Sequence, residues 1–196
     1  MWNEDHISLI DITDSVEQAL RRVDWNMPGE KAYEIRCLGA PVGHVFVSEG
    51  VDEDTILIEW IEIFDAFRGM HLLKPSLEKL ASALSKKKIL LDASMDLVPK
   101  YLNIGASITS DGYDVCREMV SMEYVAGCDS TKKEERHEFT IVYSDAAVDL
   151  DSIFYRNFTG TKENADTYAA VCTVDCREGG SGYEGPCRAV IKTICN

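Results

Sequence analysis

Ile56-Leu57-Ile58-Glu59-Trp60-Ile61-Glu62-Ile63-Phe64-Asp65-Ala66-Phe67-Arg68-Gly69 is the stretch on which the fold turns. Residues 56–64 are dense in isoleucine and aromatic side chains, the composition of a long β-strand. Asp65 to Gly69 breaks that strand. Leu72, Leu73, Leu77, Leu80, Ala81 and Leu84 then recur at helical spacing. Pro75 falls in the first turn of this helix, where a missing N–H costs little. Lys86-Lys87-Lys88 closes the helix with charge that suits the negative end of its macrodipole.

Upstream, His6 to Ile12 reads as a first strand. A helix follows, with Val16, Leu20 and Val23 as its stripe and a capping-box spacing at Asp14 and Glu17. Met27-Pro28-Gly29 is a break. Ala32 to Leu38 and His44 to Ser48 form a hairpin about the turn Gly39-Ala40-Pro41-Val42-Gly43, and Gly50 to Asp54 is an acidic turn. Downstream, Ile89 to Ala93 is a short buried strand, and Leu97 to Ile104 a short helix closed by Gly105. Ser107 to Thr109 and Val115 to Val125 read as the next strands.

Past Gly127 the pattern changes. A charged loop, Asp129 to Arg136, leads to a strand at Glu138 to Tyr143 and a helix at Val148 to Phe158. Two late strands, Thr167 to Arg177 and Cys187 to Cys195, flank the glycine-rich loop Glu178 to Gly185. The expected organisation is a domain over residues 1–126 and a C-terminal extension over 127–196, packed on it, with a β-hairpin at about 167–195. The extension completes the sheet, forms a homodimer contact or caps the acceptor site; the sequence leaves the three open.

The 196 residues are 45% hydrophobic and 28% charged, a globular composition. The net charge is −14, which repels a nucleic acid held through its phosphates. No run approaches the roughly 18 to 20 apolar residues of a membrane span, so no membrane contact is expected. The acidic start Met1-Trp2-Asn3-Glu4-Asp5-His6 lacks the features of a signal peptide. Seven scattered cysteines read as reduced thiols, and the expected location is cytoplasmic. The charge is uneven: residues 1–66 carry a net −11, residues 67–110 a net +4 and residues 111–196 a net −7.

The order of elements resembles the GNAT N-acetyltransferase superfamily over about residues 6–125. Three pieces carry the resemblance: the hairpin turn Gly39 to Gly43, the strand-to-loop run Ile61 to Gly69, and Leu90-Leu91-Asp92-Ala93-Ser94 followed by Tyr101-Leu102-Asn103-Ile104-Gly105-Ala106. The resemblance implies an α+β fold, a mixed and mostly antiparallel sheet flanked by helices. It implies acetyl-CoA as co-substrate, its pyrophosphate on the helix N-terminus at Arg68, Gly69, Met70, His71, Leu72, Leu73 and Lys74. Ile61 and Ile63 would supply backbone groups to the pantetheine arm, and Ser94 stands about where the family has a loop-steadying Asn. The family loop reads Arg/Gln-x-x-Gly-x-Gly/Ala; here His71 and Leu73 occupy the two small-residue positions.

Acetyl transfer to an amine requires that the amine lose a proton, the thioester carbonyl be polarised and the departing thiolate be protonated. The resemblance gives Tyr101 the thiolate; the plain alternative is a helix residue packed on the sheet. Glu59 and Glu62 are carboxylates on an apolar strand, candidates for the base, with Glu59 first. Their parity is opposite, so an unbulged strand puts them on opposite faces, one of them solvated. Ser94 alternatively caps the next helix. His44 follows the hairpin turn and reads as structural or as a residue at the substrate mouth.

Cys172, Cys176, Cys187 and Cys195 lack paired zinc spacing, so no metal is expected; Cys176 and Cys187 read as opposed thiols in the hairpin. P-loop, Gly-x-Ser-x-Gly and His-Glu-x-x-His motifs are absent from the sequence. The expected function is transfer of an acetyl group from acetyl-CoA to a primary amine of a cationic small molecule or basic protein. The alternative is a catalytically degenerate GNAT-fold protein serving as an acidic protein-binding or inhibitory module.

Overall fold

The computed structural model describes residues 2–22, 24, 26–114, 119–127, 135–143, 156–178 and 186–191. The chain divides into two compact units, Met1–Asp92 with Glu123–Cys128, and Ala93–Met122 with Asp129–Asn196. They interleave along the chain, where the sequence suggested one break after residue 126.

The first unit contains β1 (Ile7–Asp11), α1 (Thr13–Arg21), β2 (Lys31–Cys37), β3 (Ala40–Glu49), β4 (Thr55–Ile63) and α2 (Leu73–Leu84). β5 (Lys88–Ser94) runs from the first unit into the second. The second contains α3 (Val98–Ile104), β6 (Ser107–Asp114), β8 (His137–Tyr143), β9 (Arg156–Gly160), α4 (Lys162–Glu178) and β10 (Cys187–Ile191), while β7 (Met119–Val125) leads back to the first. Seven strands lie in the order β1-β2-β3-β4-β5-β7-β6, and three in the order β10-β8-β9. β1 to β4 pair antiparallel and β4 pairs with β5 in parallel. The architecture is α+β, with a mixed, mostly antiparallel sheet and helices, in the element order expected from the sequence.

Each element has a local cause. Cys37 lies opposite Ala40, so β2 and β3 are joined by Leu38 and Gly39 alone, both at positive φ (49° and 85°). That is a primed two-residue turn, which matches strand twist. The wider turn expected at Gly39 to Gly43 is thereby corrected: Ala40 to Gly43 already belong to β3. α1 begins without the expected capping box; the Thr13 amide donates to the Asp11 carboxylate at 2.9 Å instead. Leu77, Leu80 and Ala81 of α2 are buried, as are Val45, Val47, Ile56, Ile58, Ile89 and Leu91, and they form the core of this unit.

The helix α2 ends at Ser85, in a left-handed conformation. The three lysines therefore lie beyond it and serve the acidic turn. The Lys87 and Lys88 amides both donate to the Asp54 carbonyl, at 2.9 and 3.0 Å. Lys86 Nζ donates to the Glu53 carbonyl at 2.6 Å, Lys87 Nζ meets Asp54 Oδ2 at 3.1 Å, and Lys88 Nζ meets Glu123 at 3.2 Å.

The second unit departs most from expectation. Thr167 to Arg177, expected as a strand, lies within α4. Ala165, Tyr168, Ala169 and Cys172 are buried at helical spacing, and Thr167 and Thr173 turn their hydroxyls back onto the Glu163 and Ala169 carbonyls. The hairpin at 167–195 is absent, because β10 pairs with β8, Cys187 opposite Tyr143. Cys176 and Cys187 are accordingly on a helix and a strand that do not form one hairpin. The expected helix at Val148 to Phe158 ends in strand β9 from Arg156 on; residues 148–155, 115–118 and Cys195 lie outside the described residues. Phe139, Phe158 and Tyr168 stack in sequence, with centroids 6.3 and 5.7 Å apart. Among the described residues no helix is long and apolar enough to cross a membrane.

Candidate active site

The site begins with a register change. Phe46 of β3 lies opposite Trp60, but Val47 lies opposite Ile58, so Glu59 is an extra residue in β4, a β-bulge. The apolar face needs it: Ile56 and Ile58 precede the bulge with one parity, and Ile61 and Ile63 follow with the other. Ile58 and Ile61 are opposite Val47 and Val45, both buried.

The bulge corrects the expectation that Glu59 and Glu62 face opposite sides. Cross-strand partners share a face. Glu62 lies opposite His44, and Trp60 opposite Phe46. Glu59 accepts a hydrogen bond from Ser48 Oγ at 3.0 Å, and Ser48 alternates with Phe46 and His44 on β3. All of them therefore lie on one face. Across β2, His44 lies opposite Glu34, whose carboxylate is held by Arg36 Nε at 2.5 Å. The His44 ring meets Phe64 edge-on at 5.0 Å. Glu59 is exposed, Glu62 is half-buried and Trp60 is 56% exposed.

β4 pairs with β5 only from Thr55 to Ile58. Beyond the bulge, no strand pairs with that edge among the described residues, and the Ile63 carbonyl is taken instead by the Arg68 side chain. Ile61 and Ile63 fall in this segment, both half-buried.

The loop that follows places the remaining candidates. Arg68 Nη1 binds Asp65 at 2.8 Å and its Nε donates to the Ile63 carbonyl at 3.2 Å, so this guanidinium braces the loop. Gly69 has φ 80°, with nothing within 4 Å of where a Cβ would stand. Met70 and His71 are exposed, Leu72 is buried, and Leu73 and Lys74 are half-buried. His71 has φ 57°. A residue with a Cβ is thus held in the left-handed conformation that glycine adopts freely, a strain of roughly 1–2 kcal/mol. At the start of α2 the Leu73 and Lys74 amides precede the first helical hydrogen bond, from the Ser76 amide to the Leu72 carbonyl. Pro75, between them, has no N–H. The turn thus presents two backbone donors to an anion, with the Lys74 side chain on the same turn.

Ser94 is not the cap of α3, as Leu97 takes that place; its hydroxyl donates to Asp96 at 2.6 Å. Tyr101, on α3, is buried in the second unit, and that burial pushes its phenol up to about 12. The phenol stays protonated across the physiological range, yet is a weaker acid than a thiol near 8.5. Tyr168 is likewise pushed up to about 12, by burial first and then by Cys172. Both groups hold protons in the folded chain that the unfolded chain loses above about pH 10. Their stabilisation is complete below pH 10 and declines as pH rises toward 12. Thermal melts at pH 9 to 12 are expected to show this decline, and to show less of it in Tyr101→Phe with Tyr168→Phe; equal slopes would refute it.

Sequence reasoning missed Trp60 and Glu34, and set His44 apart from Glu62. The isoleucine spacing at 56, 58, 61 and 63 was the available signal.

No family model matches the chain, and no curated protein matches it. Solved structures do. An IAA acetyltransferase from Bacillus cereus aligns at TM-score 0.43 and 15% identity, over 61% of this chain and 99% of that one. A spermidine N-acetyltransferase from Vibrio cholerae aligns at 0.46 and 12%, over 62% and 94%. A Bacillus subtilis acetyltransferase in complex with CoA aligns at 0.45 and 15%, over 61% and 97%.

Proposed function

We propose that the protein is an acyltransferase that moves an acetyl group from acetyl-CoA to a primary amine of a cationic acceptor. The observation that carries the reading is the bulge at Glu59, which gathers Glu59, Glu62, His44 and Trp60 on one face of β4 where the strand leaves its parallel partner. A carboxylate there takes the proton of the amine, directly or through one water. The amine nitrogen then attacks the thioester carbonyl; the C–N bond forms and the C–S bond breaks. The thiolate takes a proton, in our reading from the Tyr101 phenol, which regains one from solvent. Acetyl-CoA is a substrate here. The Leu73 and Lys74 amides and the Lys74 ammonium are the groups we assign to its pyrophosphate.

The second reading, an acidic protein-binding module that lacks turnover, is favoured by the same loop. His71 is strained, Pro75 removes a donor and Arg68 is engaged with Asp65.

Calorimetry with acetyl-CoA separates the two. Micromolar to sub-millimolar binding is expected, strengthened severalfold in His71→Gly, where the left-handed backbone is relaxed and the approach is cleared. The same variant should melt higher, by about 2–4 °C for each kcal/mol relieved. No heat at millimolar ligand in either protein would sink the acyltransferase reading.

A further inference from the structure

Trp60 pairs across the strands with Phe46, yet most of its indole surface is left open. Its neighbours on the other face of β4 are isoleucines that build the core, whereas its indole is 56% exposed. Among the described residues it is the one aromatic ring in the set of exposed large apolar side chains. Around it on the same face lie Glu59 and Glu62, then His44 and Glu34; Arg36, the one Lys or Arg among these positions of β2 to β4, is bound to Glu34. An aromatic face carries negative quadrupole charge and attracts organic cations. Carboxylates alone would draw any cation, metal ions included. An indole beside them selects a diffuse ammonium carried on apolar carbon.

Distance narrows the ligand further. Trp60 and Glu62 are two residues apart on a strand, about 7 Å. Two residues of extended chain are six bonds; a diamine with roughly four methylenes spans five.

We infer that Trp60 is a specificity-determining residue: its indole holds a second, non-reacting ammonium of a diamine or polyamine acceptor while the reacting amine faces Glu62. The inference rests on the reading of this face as the acceptor side. The chain thereby prefers acceptors with two cationic centres over mono-amines of equal length.

The probes are 1,4-diaminobutane and n-butylamine, with the full chain. Wild type should favour the diamine in kcat/KM. Trp60→Ala should lower that preference about tenfold, through KM, with kcat nearly unchanged, and Trp60→Phe should retain most of it. The acidic field also favours a dication, but it does so in all three proteins and is weakened by salt in all three. Trp60→Ala therefore isolates the indole. Calorimetric titration with each amine gives the same comparison without turnover. Transfer with a preference that Trp60→Ala leaves unchanged would overturn the inference and spare the acyltransferase reading. Diamine binding that depends on Trp60, with no transfer to either amine, would overturn the acyltransferase reading and with it the acceptor role given to Trp60. Equal affinity for both amines in wild type would overturn the inference outright.

Discussion

Replacing Glu62 with Gln should lower the rate of amine acetylation by about 10²–10³-fold and leave acetyl-CoA affinity within about twofold. The substitution keeps shape and hydrogen bonding but removes the ability to take a proton, and a positioned general base contributes on that order. Glu62 is the better placed of the two candidates. It is half-buried and faces His44, whereas Glu59 is exposed and its Oε1 already accepts from Ser48. Glu59→Gln is expected to cost tenfold or less. Steady-state rates with a saturating diamine measure both. A larger loss in Glu59→Gln would reverse the assignment, and unaltered rates in both would remove the face from the reaction.

The second large effect is on stability. A Cβ on Gly43 would stand 2.1 Å from the Glu62 carbonyl oxygen, with the Glu62 carbonyl carbon at 3.1 Å and the Ile63 Cα at 3.2 Å. These are backbone atoms of the adjacent strand and cannot rotate away. Gly43→Ala must push β3 from β4, a loss of about 3 kcal/mol, at the upper end of overpacking effects. At about 2–4 °C for each kcal/mol the melting midpoint should fall by roughly 6–12 °C. Because the displaced carbonyl belongs to Glu62, transfer activity should fall with it at temperatures where the variant remains folded. Full activity in a folded Gly43→Ala protein would mean that β4 accommodates the methyl without moving Glu62.

Much of the first unit was legible because its signals are local. The leucine stripe gave α2 and the isoleucine run gave β4. What failed there was parity. Alternation was read across the whole strand, and a single inserted residue reverses every side chain beyond it. The isoleucines at 56, 58, 61 and 63 recorded the reversal. The second unit misled for another reason. Thr167, Val171, Thr173 and Val174 are β-branched and suggested a strand, but Ala165, Tyr168, Ala169 and Cys172 form the buried stripe of a helix, and packing overrides weak propensity. The basic middle third was legible as composition, but its side-chain partners were not. Lys86, Lys87, Lys88 and Arg68 answer acidic groups and carbonyls nearby, which only the folded chain brings to them. Lys74 and Lys79 are the remaining cations of α2 itself.

Past Ile58 the β5 side of β4 has no ladder among the described residues, and this has a meaning beyond chemistry. A run of strand backbone with no ladder on one side is a template on which another copy can add a strand, the first step of aggregation. Proteins discourage this with charge placed along the edge. Glu59 and Glu62 bracket Trp60, and so keep the most adhesive side chain of the segment between two like charges. Neutralising Glu59 and Glu62 together is expected to make the chain prone to self-association, which light scattering would show.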